Sequence, residues 1–146
     1  MEFKSKALIV VYLMTALLAL AMTWIHIPGY MGDGFVNANK LFWRDALFNA
    51  NSAGKFLTVD ILFLAFGCNV WMFIEARRIG VKYVYGYVVV GVVVAISVAF
   101  PLFLAAREWR LASLDSNSSR YELKLVDVIS LVIIFGASLV AAIVVL

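Results

Sequence analysis

Within the apolar stretch from Phe56 to Ala76, three side chains could do chemistry: Asp60 near one end, Asn69 near the middle and Glu75 at the other end. An ionisable group deep in hydrocarbon costs about 2.5–3.5 kcal/mol on insertion scales, so such groups usually face a protein interior or a wet cavity. Two kinds of chemistry follow. In the first, Asp60 or Glu75 is a buried carboxylic acid that protonates an isoprenoid, and Trp71, Phe63 and Tyr87 stabilise the resulting carbocation through their ring faces. In the second there is no reaction, and Asp60, Asn69 and Trp71 line a pocket for a hydrophobic molecule or a partner helix.

On a helix advancing about 100° per residue, Asp60, Gly67 and Trp71 fall within about 20° of one line. Asn69 projects from the opposite side. Plainer roles exist for each group. Asp60 lies close enough to the helix start to complement its dipole, and Glu75 beside Arg77 and Arg78 reads as an anchor in the headgroup layer. Asn69 is also suited to an interhelical hydrogen bond worth about 0.6–2 kcal/mol. Cys68 reads as a small buried hydrophobe.

Further along, Gly91, Ala95 and Ala99 make a small-residue seam that allows close helix approach. Pro101 removes an N–H and frees the Ser97 carbonyl, which predicts a kink bordering a cavity, with Ser97 on its wall. By chain direction Arg107 and Glu108 emerge on the side of Asp60, which makes an Asp60–Arg107 ion pair geometrically possible. His26, before Ile27-Pro28-Gly29, sits at that same face, where it is either a proton relay or a solvated residue.

The elements that must position these residues follow from composition. The 146 residues are 65% hydrophobic and 14% charged, with mean hydropathy +1.01; soluble domains are about 45–50% apolar and about 25% charged. This is the composition of an integral membrane protein. Four apolar stretches, at about 7–25, 56–76, 83–106 and 125–146, are each long enough to cross a core of about 30 Å. Backbone polar groups in lipid must be satisfied internally, so each is expected as a helix. The expected fold is therefore all-α: one polytopic domain, a four-helix transmembrane bundle. Lys4 and Lys6 before an apolar run with Ala19-Leu20-Ala21 resemble a signal peptide, but the run of about eighteen residues is longer than a usual signal core, which favours a retained span.

The connection 26–55 carries the turn residues Pro28-Gly29 and Gly32-Asp33-Gly34. Between those turns and the amide-rich 49–52, residues 37–48 read as a short interfacial helix, aromatic and basic. The connection from Trp109 to Lys124 reads as a mobile loop, with a weak glycosylation pattern at Asn117. Lys and Arg divide five against seven between the two sides of a four-span chain. The five lie in short segments at helix ends, which favours cytoplasmic termini in a bacterial inner membrane.

Several classes are disfavoured. One Cys and one His exclude a disulfide framework, a self-contained Cys/His zinc site and a bis-histidine haem site. No phosphate-binding glycine loop, metal motif or Ser-His-Asp set is evident. The net charge of +3 is spread over loops rather than gathered into a nucleic-acid-binding face. No cofactor or metal is expected. The expected partners are membrane lipids or a hydrophobic small molecule, with a homo-oligomer or a larger membrane complex as further possibilities, the chain then being an accessory subunit.

One combination of residues is unusual: Phe48-Asn49, Asp60, then Trp71-Met-Phe-Ile-Glu75-Ala-Arg-Arg-Ile-Gly80, Ser97, and Pro101-Leu-Phe-Leu104 through Arg107-Glu108. It resembles a bacterial membrane family known as domain of unknown function 2834, over roughly Ala7 to Arg110. The resemblance implies a helical membrane fold, assigns no activity, and leaves the last helix as an addition. Asn69-Val-Trp71 followed by Glu75 is also loosely similar to small integral-membrane terpene cyclases, although the spacing from Trp to Glu is longer than in those enzymes.

Overall fold

The computed structural model describes residues 3–114 and 124–145. Among these the chain is helical and divides into two compact units, Met1–Leu114 and Asp115–Leu146. The first unit contains α1 (Phe3–Trp24), a 3-10 turn (Pro28–Asp33), α2 (Phe35–Arg44), a π-helical turn (Asp45–Asn49), α3 (Ser52–Ile79), α4 (Val84–Val93) and α5 (Ile96–Ser113). The second contains α6 (Leu125–Val144). Residues 115–123, and with them the Asn117 pattern and most of the expected loop, lie outside the described residues; α5 itself runs on to Ser113.

Among the described residues, three helices are long and apolar enough to cross a membrane: Ser5–Trp24, Ser52–Ile79 and Leu125–Val144. The expected third span is corrected. Residues 83–106 do not form one helix; they form α4 and α5, which meet at Val94 and the extended Ala95 (φ −176°, ψ 145°). The ten residues of α4 rise about 15 Å, half a hydrocarbon core. The stretch from Val88 to Val94 is valine interrupted only by Gly91, and both residue types are poor helix formers.

The two helices fold back on one another as a hairpin. Tyr87 meets Phe103 edge-to-face with ring centroids 5.6 Å apart. A Cβ on Gly91 would stand 3.5 Å from the Ala99 Cβ and 3.3 Å from Ile96 Cδ1, so glycine allows this approach. Gly91 and Ala99 thus oppose each other across a turn instead of lining one helix face. Pro101 lies buried within a continuous α5, and the break comes before it, at Val94–Ala95.

α5 is the central helix, packed against α1, α3 and α4. Along one face of α1, Ser5, Ile9 and Ala16 are buried while Val10, Met14 and Leu17 point outward. On α3 the buried residues are Met72, Glu75, Ala76 and Ile79, whereas Phe56, Phe63, Phe66 and Ile74 are exposed. Helices in lipid associate through small and polar residues because bulky apolar ones are equally content against lipid tails. Two caps fix the ends of α3. The Asn51 side chain accepts from the Gly54 N–H (2.8 Å), and left-handed Gly80 (φ 75°) closes the C-terminus.

In the second unit, α6 begins with a capping contact from the Lys124 N–H to Asp127 Oδ2 (2.9 Å). The Ser130 and Ser138 hydroxyls donate back to the Val126 and Ile134 carbonyls, which hides their polarity within the helix.

Candidate functional site: an apolar cavity and a charged clamp

Two sites are built along α3, one on the stripe through Asn69 and the other toward its C-terminal end. Thr58, Ile61, Leu62, Ala65 and Asn69 follow the i, i+3, i+4, i+7, i+11 spacing of one helical stripe, and all five line a cavity of about 430 Å³. Small-molecule pockets range over about 300–1,000 Å³. The hairpin tip, Gly91 to Ser97, forms a second wall; Thr23 and Trp24 at the end of α1 and Phe35, Ala38, Asn39, Phe42 and Trp43 of α2 complete it. Trp24 stacks with Phe35 at 6.4 Å and reaches the hairpin tip through a long hydrogen bond from Nε1 to the Val94 carbonyl (3.4 Å).

The lining is apolar and aromatic, and no charged side chain is part of it. Its polar side chains are Thr23, Asn39, Thr58, Asn69 and Ser97. Thr23 donates to the Ala19 carbonyl and Thr58 to the Gly54 carbonyl, each at 2.8 Å. Asn69 differs: its Oδ1 is buried and has no hydrogen-bond partner. An unmet buried acceptor costs about 1–3 kcal/mol. The hairpin break adds backbone polarity: Val98 and Ala99 donate their N–H groups to the Ala95 carbonyl, no side chain caps the start of α5, and the N–H groups of Ile96 and Ser97 precede those bonds.

The second site lies where α3 and α5 run side by side toward the same end. Trp71 packs edge-to-face on Phe100 (5.6 Å) and Phe103 (5.8 Å), Glu75 meets Arg107, and Arg110 Nε donates to the Ile79 carbonyl (3.1 Å). These pairs keep one register of 31 or 32 residues: 71 with 103, 75 with 107, 79 with 110. Glu75 is 5% exposed, and both its oxygens are occupied. Arg78 Nε donates to Oε2 (2.6 Å) and Arg78 Nη2 to Oε1 (2.7 Å), while Arg107 Nε donates to Oε1 (2.7 Å). Arg107 Nη1 also donates to Glu108 Oε1 (2.8 Å), and its guanidinium lies 5.7 Å from the Trp71 ring centre. Two carboxylates and two guanidinium groups thus form an electroneutral clamp that joins α3 to α5.

The residues expected at a site are distributed as follows. Asn69 and Ser97 line the cavity. Trp71, Glu75 and Arg107 belong to the clamp. Asp60 belongs to neither: it is exposed on the outward face of α3. Among the described residues it makes no ion pair, and the expected Asp60–Arg107 bridge is replaced by Glu75–Arg107. The correction has two causes. The stripe facing the protein is the one through Asn69 rather than the one through Asp60 and Gly67, and the hairpin returns Arg107 to the C-terminal end of α3. Asp60 and Glu75 are fifteen residues apart on one helix, about 22 Å, and share no site. A Cβ on Gly67 would meet no atom within 4 Å, and His26 is exposed.

Sequence reasoning missed Trp24, Phe35, Phe42 and Trp43 as lining residues. The aromatic content of Phe42 and Trp43 was legible as interfacial, but the convergence of all four with the hairpin tip was not. In comparison with known proteins, residues 11–109 match the family described as a protein of unknown function, DUF2834. The chain belongs to this family. The matched region contains every member of the clamp and every cavity residue, and leaves α6 outside. The two segments that carried the resemblance, Trp71 to Arg78 and Pro101 to Glu108, are the two surfaces that meet along α3 and α5. No curated protein and no solved structure matches the chain, and nothing supports the likeness to terpene cyclases.

Proposed function

We propose that this DUF2834 protein is a small integral membrane protein that binds a hydrophobic molecule in the cavity between α3, the α4–α5 tip, α1 and α2. The observation that carries the reading is the 430 Å³ apolar cavity with the unpaired Asn69 Oδ1 on its wall. Non-helical backbone at membrane depth is tolerated where it borders protein or a cavity, and the Val94–Ala95 break is placed accordingly. The fluorophore 1-aminoanthracene, titrated into the full chain in detergent, is expected to bind saturably and to quench Trp24 and Trp43, and Ala65→Phe is expected to fill the cavity and remove that binding. Absence of saturable binding to the folded wild-type protein would refute the reading.

In this proposal α1, α3 and α6 cross the bilayer, while α4–α5 enters and leaves on one side as a re-entrant hairpin, and α2 lies at the opposite interface. That arrangement changes the distribution of basic residues. Lys4, Lys6, Arg77, Arg78, Lys82, Arg107, Arg110, Arg120 and Lys124 fall to one side, and Lys40, Arg44 and Lys55 to the other. Nine against three follows the positive-inside rule, where the four-span count did not. The N-terminal end is then cytoplasmic and the end of α6 is not. Alkaline phosphatase fused after Leu146 is expected to be active in intact bacterial cells and green fluorescent protein fused there to be dark; the reverse pattern would restore four spans.

A further inference from the structure

We infer that the cavity selects a neutral ligand carrying a hydroxyl group on an apolar body, held at Asn69. The inference rests on the reading of the cavity as a ligand site and adds which chemistry it accepts. No charged side chain lines the cavity, so an anionic or cationic head would be desolvated without a counter-charge. A pure hydrocarbon would leave Asn69 Oδ1 as it stands, buried and unpaired. A hydroxyl resolves both points: it donates to Oδ1 while its own oxygen accepts, and it carries no charge.

The position of Asn69 favours one head group over several scattered polar contacts. Thr23 and Thr58 commit their hydroxyl protons to the backbone carbonyls of their own helices. Asn69 and the hairpin tip, by contrast, are shared walls of the cavity, with Ser97 in the first turn of α5 as a further polar side chain. An acceptor from α3 and donors from the start of α5 match the two functions of one hydroxyl. Apart from Asn39 on α2, the rest of the lining, from Ile61 and Leu62 across to Phe42 and Trp43, offers apolar surface for the ligand body.

Displacement of 1-aminoanthracene from the full chain tests this with 1-dodecanol, dodecane and ionised dodecanoate at pH 8, each as mole fraction in the detergent micelle. Dodecanol is expected to displace the fluorophore about tenfold more strongly than either competitor. Asn69→Leu is expected to abolish that preference while retaining binding of dodecane. Equal displacement by dodecane and dodecanol, with saturable fluorophore binding intact, overturns the hydroxyl assignment and leaves the cavity as a general apolar site. Stronger displacement by dodecanoate overturns it in favour of an anion site. Both comparisons are made on the wild-type protein, so they hold even if the Asn69 variant folds poorly.

Discussion

The two regions along α3 handle buried polarity in opposite ways. In the clamp, Glu75 is nearly inaccessible yet every oxygen is engaged by Arg78 or Arg107. In the cavity, only six residues earlier, Asn69 Oδ1 is buried with no donor to accept from. A satisfied network rigidifies the elements it joins, whereas an unmet polar atom on a cavity wall marks a place suited to receive another molecule. The difference separates the part of α3 that holds the fold from the part that is free to bind.

The largest expected effect tests the clamp. Glu75→Ala leaves Arg107, whose side chain is 18% exposed, with a single acidic neighbour at Glu108. Removing one partner of a buried ion pair costs about 3–5 kcal/mol. Thermal unfolding in detergent should show that loss while the surviving folded fraction still binds 1-aminoanthracene; loss of binding at full stability would erase the distinction between the regions. An intermediate effect of opposite sign is expected at the cavity. Asn69→Leu removes an unmet acceptor, so stability measured in the same way should be unchanged or about 1 kcal/mol higher. A clear fall would mean that Asn69 has a structural partner. The smallest effect belongs to Asp60→Asn, a change on the outward face away from both regions, expected to stay within about 0.5 kcal/mol. A larger loss would bring Asp60 back as a contact to another subunit.

Much of this division was legible in residue size. Along α3 the inward positions carry Thr58, Ala65, Cys68, Asn69, Met72, Glu75 and Ala76, and the outward ones Phe56, Phe63, Phe66, Val70 and Ile74. Following charge alone leads to Asp60; following small and polar residues leads to Asn69. The helix break is harder to see. Apolar length reports a span over 83–106, and Pro101 draws attention to the wrong end of it, although the run of valines around Gly91 is a signal of weak helix. The π-helical turn at 45–49 extends α2 in a way that spacing does not specify.

By itself the sequence determined that the chain is helical and membrane-embedded, because 65% apolar content in stretches of about twenty residues leaves the backbone no other way to satisfy its hydrogen bonds. It also determined the family, matched over residues 11–109, and carried the resemblance to it in two motif halves far apart in the chain. Tertiary structure alone decided that those halves face each other in one register, that Glu75 and not Asp60 receives Arg107, and that the third apolar stretch turns back on itself. The first two are pairings between residues about thirty positions apart. Periodicity within a helix says which side chains share a face, and only the packing of one helix on another says what that face meets.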